Sequence, residues 1–145
     1  MVRVVCSSPL GITRGQVEIA DSCPDWPSVV GQIEAEIVSA LAGLPATVEH
    51  VGSTAVPGLA AKPAIDIAVG IDDDVDLDRV VAALEPLGYL YRVDLGEWGG
   101  QLFILEDKPD HRIAYIHVVS TQDPQWRRYL EFRDLLRVDA SARAA

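Results

Sequence analysis

Asp66 stands in the middle of the apolar run Ala64-Ile65-Asp66-Ile67-Ala68-Val69, thirteen positions after the dipeptide Gly52-Ser53. A carboxylate set in an otherwise apolar strand is costly unless a cation or a hydrogen-bond network compensates it, so a partner is implied nearby. The segment between, Gly52-Ser53-Thr54-Ala55-Val56-Pro57-Gly58-Leu59-Ala60-Ala61-Lys62-Pro63, carries two glycines, two prolines, two hydroxyls and one cation. Such a composition suits a constrained loop that presents backbone N–H groups to an anion. Strand, anion-ready loop and buried acid together read as a phosphate-and-metal site, with Asp66 as the metal candidate.

The elements that must position these residues follow from periodicity and punctuation. Residues 16–20 read as a first short strand. Asp25-Trp26-Pro27-Ser28 opens a helix with an acidic cap and a proline in its first turn, and Val30, Ile33, Ile37, Leu41 and Leu44 recur at helical spacing until Gly43 and Pro45. Residues 47–51 and 63–71 are the next strands, joined by the glycine-rich loop. Asp72-Asp73-Asp74 reads as a solvated turn rather than a metal cluster, since adjacent acids before a helix cap it and face water. A second helix spans 76–87 with Val80, Val81, Leu84 and Leu87 inward and Gly88 as terminator. Residues 89–93, 102–106 and 112–119 are three further strands, the last two joined by Asp107-Lys108-Pro109-Asp110. A third helix covers 124–136 behind an Asp123 cap, and a further helical stretch starts at Asp139. The sheet so assembled is mixed or antiparallel.

Side chains alternate across a strand, so Ile65, Ile67 and Val69 share one face and Ala64, Asp66 and Ala68 the other. The alanines leave room for a ligand beside the acid, or sit under a helix. The same alternation sets Tyr115 and His117 opposite Ile116 and Val118. His117 then either faces the pocket with Asp66 or is a core-edge histidine with one satisfied nitrogen, and alternation by itself favours the second. On the third helix, Trp126, Tyr129, Leu130, Phe132 and Leu136 define an apolar arc that contains Arg133 and Arg137. Two inward guanidinium groups need planar anions: protein carboxylates such as Asp66 or Glu49, or the phosphates of a ligand.

At 145 residues, with 49% hydrophobic and 23% charged side chains, the chain has the composition of an ordinary one-domain globular protein without low-complexity tracts. No apolar run approaches a membrane span and the start is too weakly patterned for a signal peptide, so a cytoplasmic location is expected. Cys6 and Cys23 lack metal-ligand spacing and read as reduced thiols. Residues 1–110 hold 18 acidic and 6 basic side chains, whereas 111–145 hold 4 acidic and 6 basic. With a formal charge of −10, the chain is poorly suited to polynucleotides, whose affinity rests on neutralising many phosphates. A small phosphorylated ligand or metabolite, held locally, is the expected partner. Oligomeric state is not legible.

Glu49-His50-Val51-Gly52-Ser53-Thr54-Ala55-Val56-Pro57-Gly58-Leu59-Ala60-Ala61-Lys62-Pro63-Ala64-Ile65-Asp66-Ile67 resembles the central signature of the GrpB family, a domain also found fused to dephospho-CoA kinase in some bacteria. Asp25-Trp26-Pro27, Ile116-His117-Val118, and Trp126 followed by Phe132-Arg133-Asp134-Leu135-Leu136-Arg137 extend the likeness over about residues 17–137. That family in turn resembles the nucleotidyltransferase superfamily of the DNA polymerase beta type, where a Gly-Ser loop precedes strand carboxylates that hold divalent metal. The resemblance implies an α/β fold of α+β type, a mixed sheet backed by helices. It also implies one domain over residues 1–145 that ends before a further C-terminal helix of the family.

By the same resemblance, Gly52, Ser53 and Thr54 meet a nucleoside triphosphate, Asp66 holds Mg²⁺, and Lys62, His117, Arg133 and Arg137 surround the pocket. Asp66 and His117 are the catalytic candidates, with Glu49, His50 and Tyr115 as further pocket residues. The chemistry is phosphoryl-group positioning with metal bridging the phosphate oxygens. Two positions depart from the pattern. Ala68 stands where the superfamily's second carboxylate falls, and Tyr115 replaces the first of two histidines frequent in the late strand. His117, Glu49, Glu97 or Glu106 would have to complete even one metal site, and histidine is softer than Mg²⁺ prefers. Three functions therefore compete: a transferase acting on a small metabolite, a binding or accessory module without transfer, and a purely structural Asp66–Arg133 ion pair.

Overall fold

The computed structural model describes residues 10–13, 19, 25–92 and 101–139. Within them, β1 (Ile12–Thr13), β2 (Ala46–Val51), β3 (Ile65–Ile71), β4 (Tyr89–Arg92), β5 (Gln101–Lys108) and β6 (His111–Ser120) form one mixed sheet. Its order is β2-β3-β6-β5-β4, with β1 paired to β6. Only β3 and β6 run parallel among these pairs. A parallel pair needs a long crossover, and here α2 (Leu77–Leu84), β4 and β5 supply it. The architecture is the mixed, helix-backed sheet that the resemblance implies.

One face of the sheet is a dry core. From α1 (Trp26–Ala40), Trp26, Val29, Val30, Ile33 and Ile37 pack with Ile65, Ile67 and Val69 of β3, Ala114, Ile116 and Val118 of β6, and Val80 and Leu84 of α2. The period of 3.6 on the helices and of 2 on the strands points all of these side chains at one layer.

Several boundaries differ from the sequence expectation. The strand expected at 16–20 lies outside the described residues, as does the helical stretch after Asp139. Asp25 occupies the N-cap position of α1, but its side chain makes no capping hydrogen bond. The 76–87 helix is α-helical only to Leu84 and tightens into a 3₁₀ turn over Glu85–Leu87. Pro86 explains the change, because its ring removes an N–H and crowds the preceding turn. That tightening leaves Leu87 38% exposed instead of inward. By contrast, Asp123 caps as expected, accepting from the Gln125 amide, while Asp76, expected as the first residue of its helix, is instead its cap and accepts from the Asp78 amide.

The second face carries Asp66, and α3 (Pro124–Val138) lies across it. Its seat depends on Gly70. A Cβ there would lie 2.8 Å from Thr121 Cγ2 and 3.1 Å from ring atoms of Trp126, so the missing side chain admits the indole against the sheet. Gly70→Ala is therefore expected to cost about 1–3 kcal/mol by overpacking. Gly31→Ala, at an exposed position of α1 with nothing within 4 Å, should gain about 0.5–1 kcal/mol. Urea denaturation of the two variants checks both signs.

Candidate functional site

Asp66 is the second residue of β3, opposite Val51 on β2 and Tyr115 on β6. His117, two residues further along β6, brings Nε2 to 3.1 Å from Asp66 Oδ1, with side chains 18% and 24% exposed. A carboxylate can only accept here, so Nε2 carries the shared proton. The acid's compensating partner is thus an imidazole on the neighbouring strand, and His117 belongs to the site rather than to the core edge. Its Nδ1 is shielded and without a hydrogen-bond partner among the described residues.

Gly52 backs the same carboxylate. Its φ of 75° and ψ of −174° lie where only glycine is comfortable, and a Cβ would stand 2.8 Å from Asp66 Oδ2. The following Ser53–Ala55 segment is a single 3₁₀ turn. There the Ala55 and Val56 amides donate to the carbonyls of Gly52 and Ser53 at 3.1 Å. Those two N–H groups are consumed inside the loop, so it offers an anion less than its composition suggests.

A cavity of about 940 Å³ opens beside this pair. Val51, Gly52, Asp66 and His117 form its sheet side, and Gln125, Arg128, Tyr129, Glu131, Phe132 and Leu135 its helix side. The rings of His117 and Tyr129 lie 5.4 Å apart at 40°, and burial pushes the Tyr129 phenol up, keeping it a neutral donor. Phe132, expected in the buried arc, is 58% exposed. The line of α3 that meets the sheet runs through Trp126, Tyr129, Arg133 and Leu136, which turns Phe132 to the flank. Ala64 and Ala68 are buried and do not line the cavity.

Of the two arginines expected to point inward, Arg133 does and Arg137 stays exposed, and both bond to the protein itself. Arg133 donates from Nη1 to Glu49 Oε2 at 2.9 Å and to the His50 carbonyl at 3.2 Å, and from Nε to Asp134. Arg137 Nε donates to the Ala55 carbonyl at 2.9 Å. Both bonds tie α3 to β2 and the loop, and neither arginine lines the Asp66 cavity. Asp66 and Arg133, one of the three expected alternatives, are not paired. A second cavity, about 860 Å³, collects His50, Thr54 and Arg137 with Glu34 and Trp26 of α1. His50 Nε2 pairs with Thr54 Oγ1 at 2.9 Å. Burial pushes the His50 imidazole down to about 4; Asp66 opposes the shift, and Arg137 and Arg133 add to it. Lys62, expected at a phosphate, sits 4.5 Å above the Tyr115 ring.

The expected site residues are thus split. Gly52, Asp66 and His117 share one cavity; His50, Thr54 and Arg137 share another; Glu49 and Arg133 form a strut. Sequence reading missed Gln125, Arg128 and Glu131, whose exposed spacing on α3 looks like any solvated face. Among the described residues no group of three His, Cys, Asp or Glu is placed to hold a metal. Glu49 is held by Arg133, Glu106 lies across from Arg112 on β5, and Glu97 lies outside the described residues. A two-metal site does not fit this donor set. A single Mg²⁺ does fit Asp66 as its one protein carboxylate, because that ion keeps waters and takes most other ligands from phosphate.

Gly52→Ala should destabilise the fold by about 1–3 kcal/mol, read from denaturant midpoints. For His50, the unfolded chain takes up a proton near 6.5 that the folded chain refuses until about 4. Stability therefore falls on acidification through that window and is untouched above it. In His50→Gln, melting temperatures between those two values should fall less steeply than in the parent.

Comparison with known proteins bears on the family and the fold. The chain is 39% identical over 130 residues to a UPF0157 protein of Halalkalibacterium halodurans, covering 90% of this chain and 65% of that relative. It aligns over 81 residues, at 35% identity, with a dephospho-CoA kinase of Mycolicibacterium paratuberculosis, 20% of that protein's length. The chain spans half to two thirds of the length of the first curated relatives it matches. Among solved structures, the conserved protein GrpB from Enterococcus faecalis superposes with a TM-score of 0.77 at 28% identity, covering 88% of this chain and 76% of that one. The Cid1 poly(U) polymerase superposes with a TM-score of 0.60 at 13% identity, over 82% of this chain and 37% of that one, which establishes a shared nucleotidyltransferase-like fold. The family described as GrpB protein matches residues 16–145, and the chain belongs to that family.

Proposed function

We propose that the chain binds a nucleoside triphosphate with Mg²⁺ in the Asp66 cavity and modifies or activates a small metabolite there. The observation that carries this reading is the position of Asp66: a half-buried carboxylate near the start of an interior strand, held by His117 and facing a cavity large enough for a nucleotide. The shared fold supports it, since Cid1 structures hold Mg with 3'-dATP and MgGTP. In this reading His117 orients the Asp66 carboxylate, Gly52 leaves space for it, and Tyr129 and Phe132 offer ring faces to a base. When bound, the metal supplies neutralisation of phosphate charge. A cytoplasmic location and a small rather than polymeric substrate accompany the proposal, the second because of the net charge of −10.

A second reading, a ligand-binding or accessory module without transfer, is favoured by one observation. Position 68 is a fully buried alanine, so the strand offers no second carboxylate. Titration calorimetry of ATP, GTP, CTP and UTP, with and without Mg²⁺, separates the two. The first reading expects one nucleotide to bind only with Mg²⁺ and Asp66→Ala to weaken it by roughly tenfold or more. Binding that ignores both Mg²⁺ and Asp66→Asn, with no turnover, establishes the second. If none of the four binds, the nucleotide reading fails.

A further inference from the structure

Beside Asp66, two cations gather on one aromatic ring. Lys62 Nζ lies 4.5 Å from the centroid of Tyr115, and Arg112 Cζ lies 5.7 Å from it. Tyr115 is the register partner of Asp66 and shares its face of the sheet. Lys62 reaches the ring from the turn just before β3, where the Ala64 amide donates to its carbonyl at 2.8 Å. Arg112 arrives by a less direct route. Plain alternation along β6 would send it to the dry core with Ala114 and Ile116. Instead Leu105 pairs with Ala114 and Glu106 with Arg112, so β6 carries an extra residue, Ile113, which packs against the core with Ala114. This β-bulge swings Arg112 to the face of Tyr115, and bulges are a recurrent device for re-aiming a side chain at a site.

Among the described residues neither cation is locked in a contact ion pair, although Glu106 stands opposite Arg112 in the β5–β6 register. Arg112 Nε is buried and finds no hydrogen-bond partner there. A shielded donor without an acceptor is costly to the fold and is rare without a reason.

We propose that Lys62 and Arg112, set around Tyr115, form an oxyanion subsite that receives the phosphate or carboxylate group of a small substrate next to Asp66. The guanidinium supplies the unused Nε–H, the ammonium a mobile second charge, and the tyrosine ring fixes the spacing of the two. The subsite rests on the Asp66 face being the ligand face. It does not depend on which nucleotide, if any, the neighbouring cavity takes.

Inorganic phosphate and, in parallel, succinate are titrated into the full chain by calorimetry. One of them binds, and which one binds names the anionic group. Lys62→Gln and Arg112→Gln should each weaken that binding roughly tenfold or more, the loss of one charge-assisted contact. Arg79→Gln, a charge change on α2 across the sheet, should leave it unaltered. Lys62 is exposed, so its variant decides the matter even where Arg112→Gln fails to fold. A chain that binds neither anion, or binds equally well in both variants, overturns the subsite. Phosphate bound through Lys62 and Arg112 by a chain that takes no Mg-nucleotide keeps the subsite and removes the transferase reading. Mg-nucleotide bound by a chain whose two variants match the parent toward phosphate does the reverse.

Discussion

The parallel pairing of β3 with β6 is the constraint on which the rest of this structure depends. It sets Asp66 level with Tyr115 and within hydrogen-bond reach of His117, so a carboxylate on an interior strand is satisfied by the strand beside it. It also demands a long crossover, which places α2, β4 and β5 where they cover one face and extend the sheet. Were β3 and β6 shifted by one residue, Asp66 would meet the wrong side of its neighbour and its charge would be stranded. The register therefore decides the fold and the site at once.

Charge compensation on the second face follows from that register. With Asp66 answered by His117, Arg133 is free to answer Glu49 and the His50 carbonyl, and Arg137 to hold the Ala55 carbonyl. These bonds fasten α3 across β2 and the loop after it. Removing one member of such a half-buried pair leaves the other unsatisfied, which is why inward arginines are as often struts as ligand-binding groups. The fastening makes α3 one wall of the cavity, with Tyr129 stacked toward His117 and Phe132 turned to the flank.

Family membership and fold speak to different questions. The GrpB match spans nearly the whole chain, while the polymerase likeness, at 13% identity, concerns architecture. Function resides in the site, and the site here departs from a two-carboxylate arrangement at Ala68. What it keeps is one acid, its orienting imidazole, a glycine that fits beneath the carboxylate, and two cations on the adjoining ring.

Alternation alone was enough to place Ile65, Ile67 and Val69 on one face and Asp66 on the other, and helical spacing alone to orient α1. Proline, aspartate and glycine marked most element ends to within a few residues. These are local properties, set by the period of the backbone and by residues that cap or break it. The partner of Asp66 lies 51 residues away and that of Arg133 84 residues away, so no local rule could choose between His117 and Arg133 for the acid, or between Glu49 and a ligand phosphate for the arginine. Arg112 shows the limit most plainly. Its face is set by a bulge that exists only because β5 and β6 pair out of step, and a strand read alone carries no trace of its neighbour's register. The sequence by itself determined that an acid would stand on a buried strand and need a partner. Only the tertiary structure decided which partner, because register between distant segments is settled by packing the whole sheet.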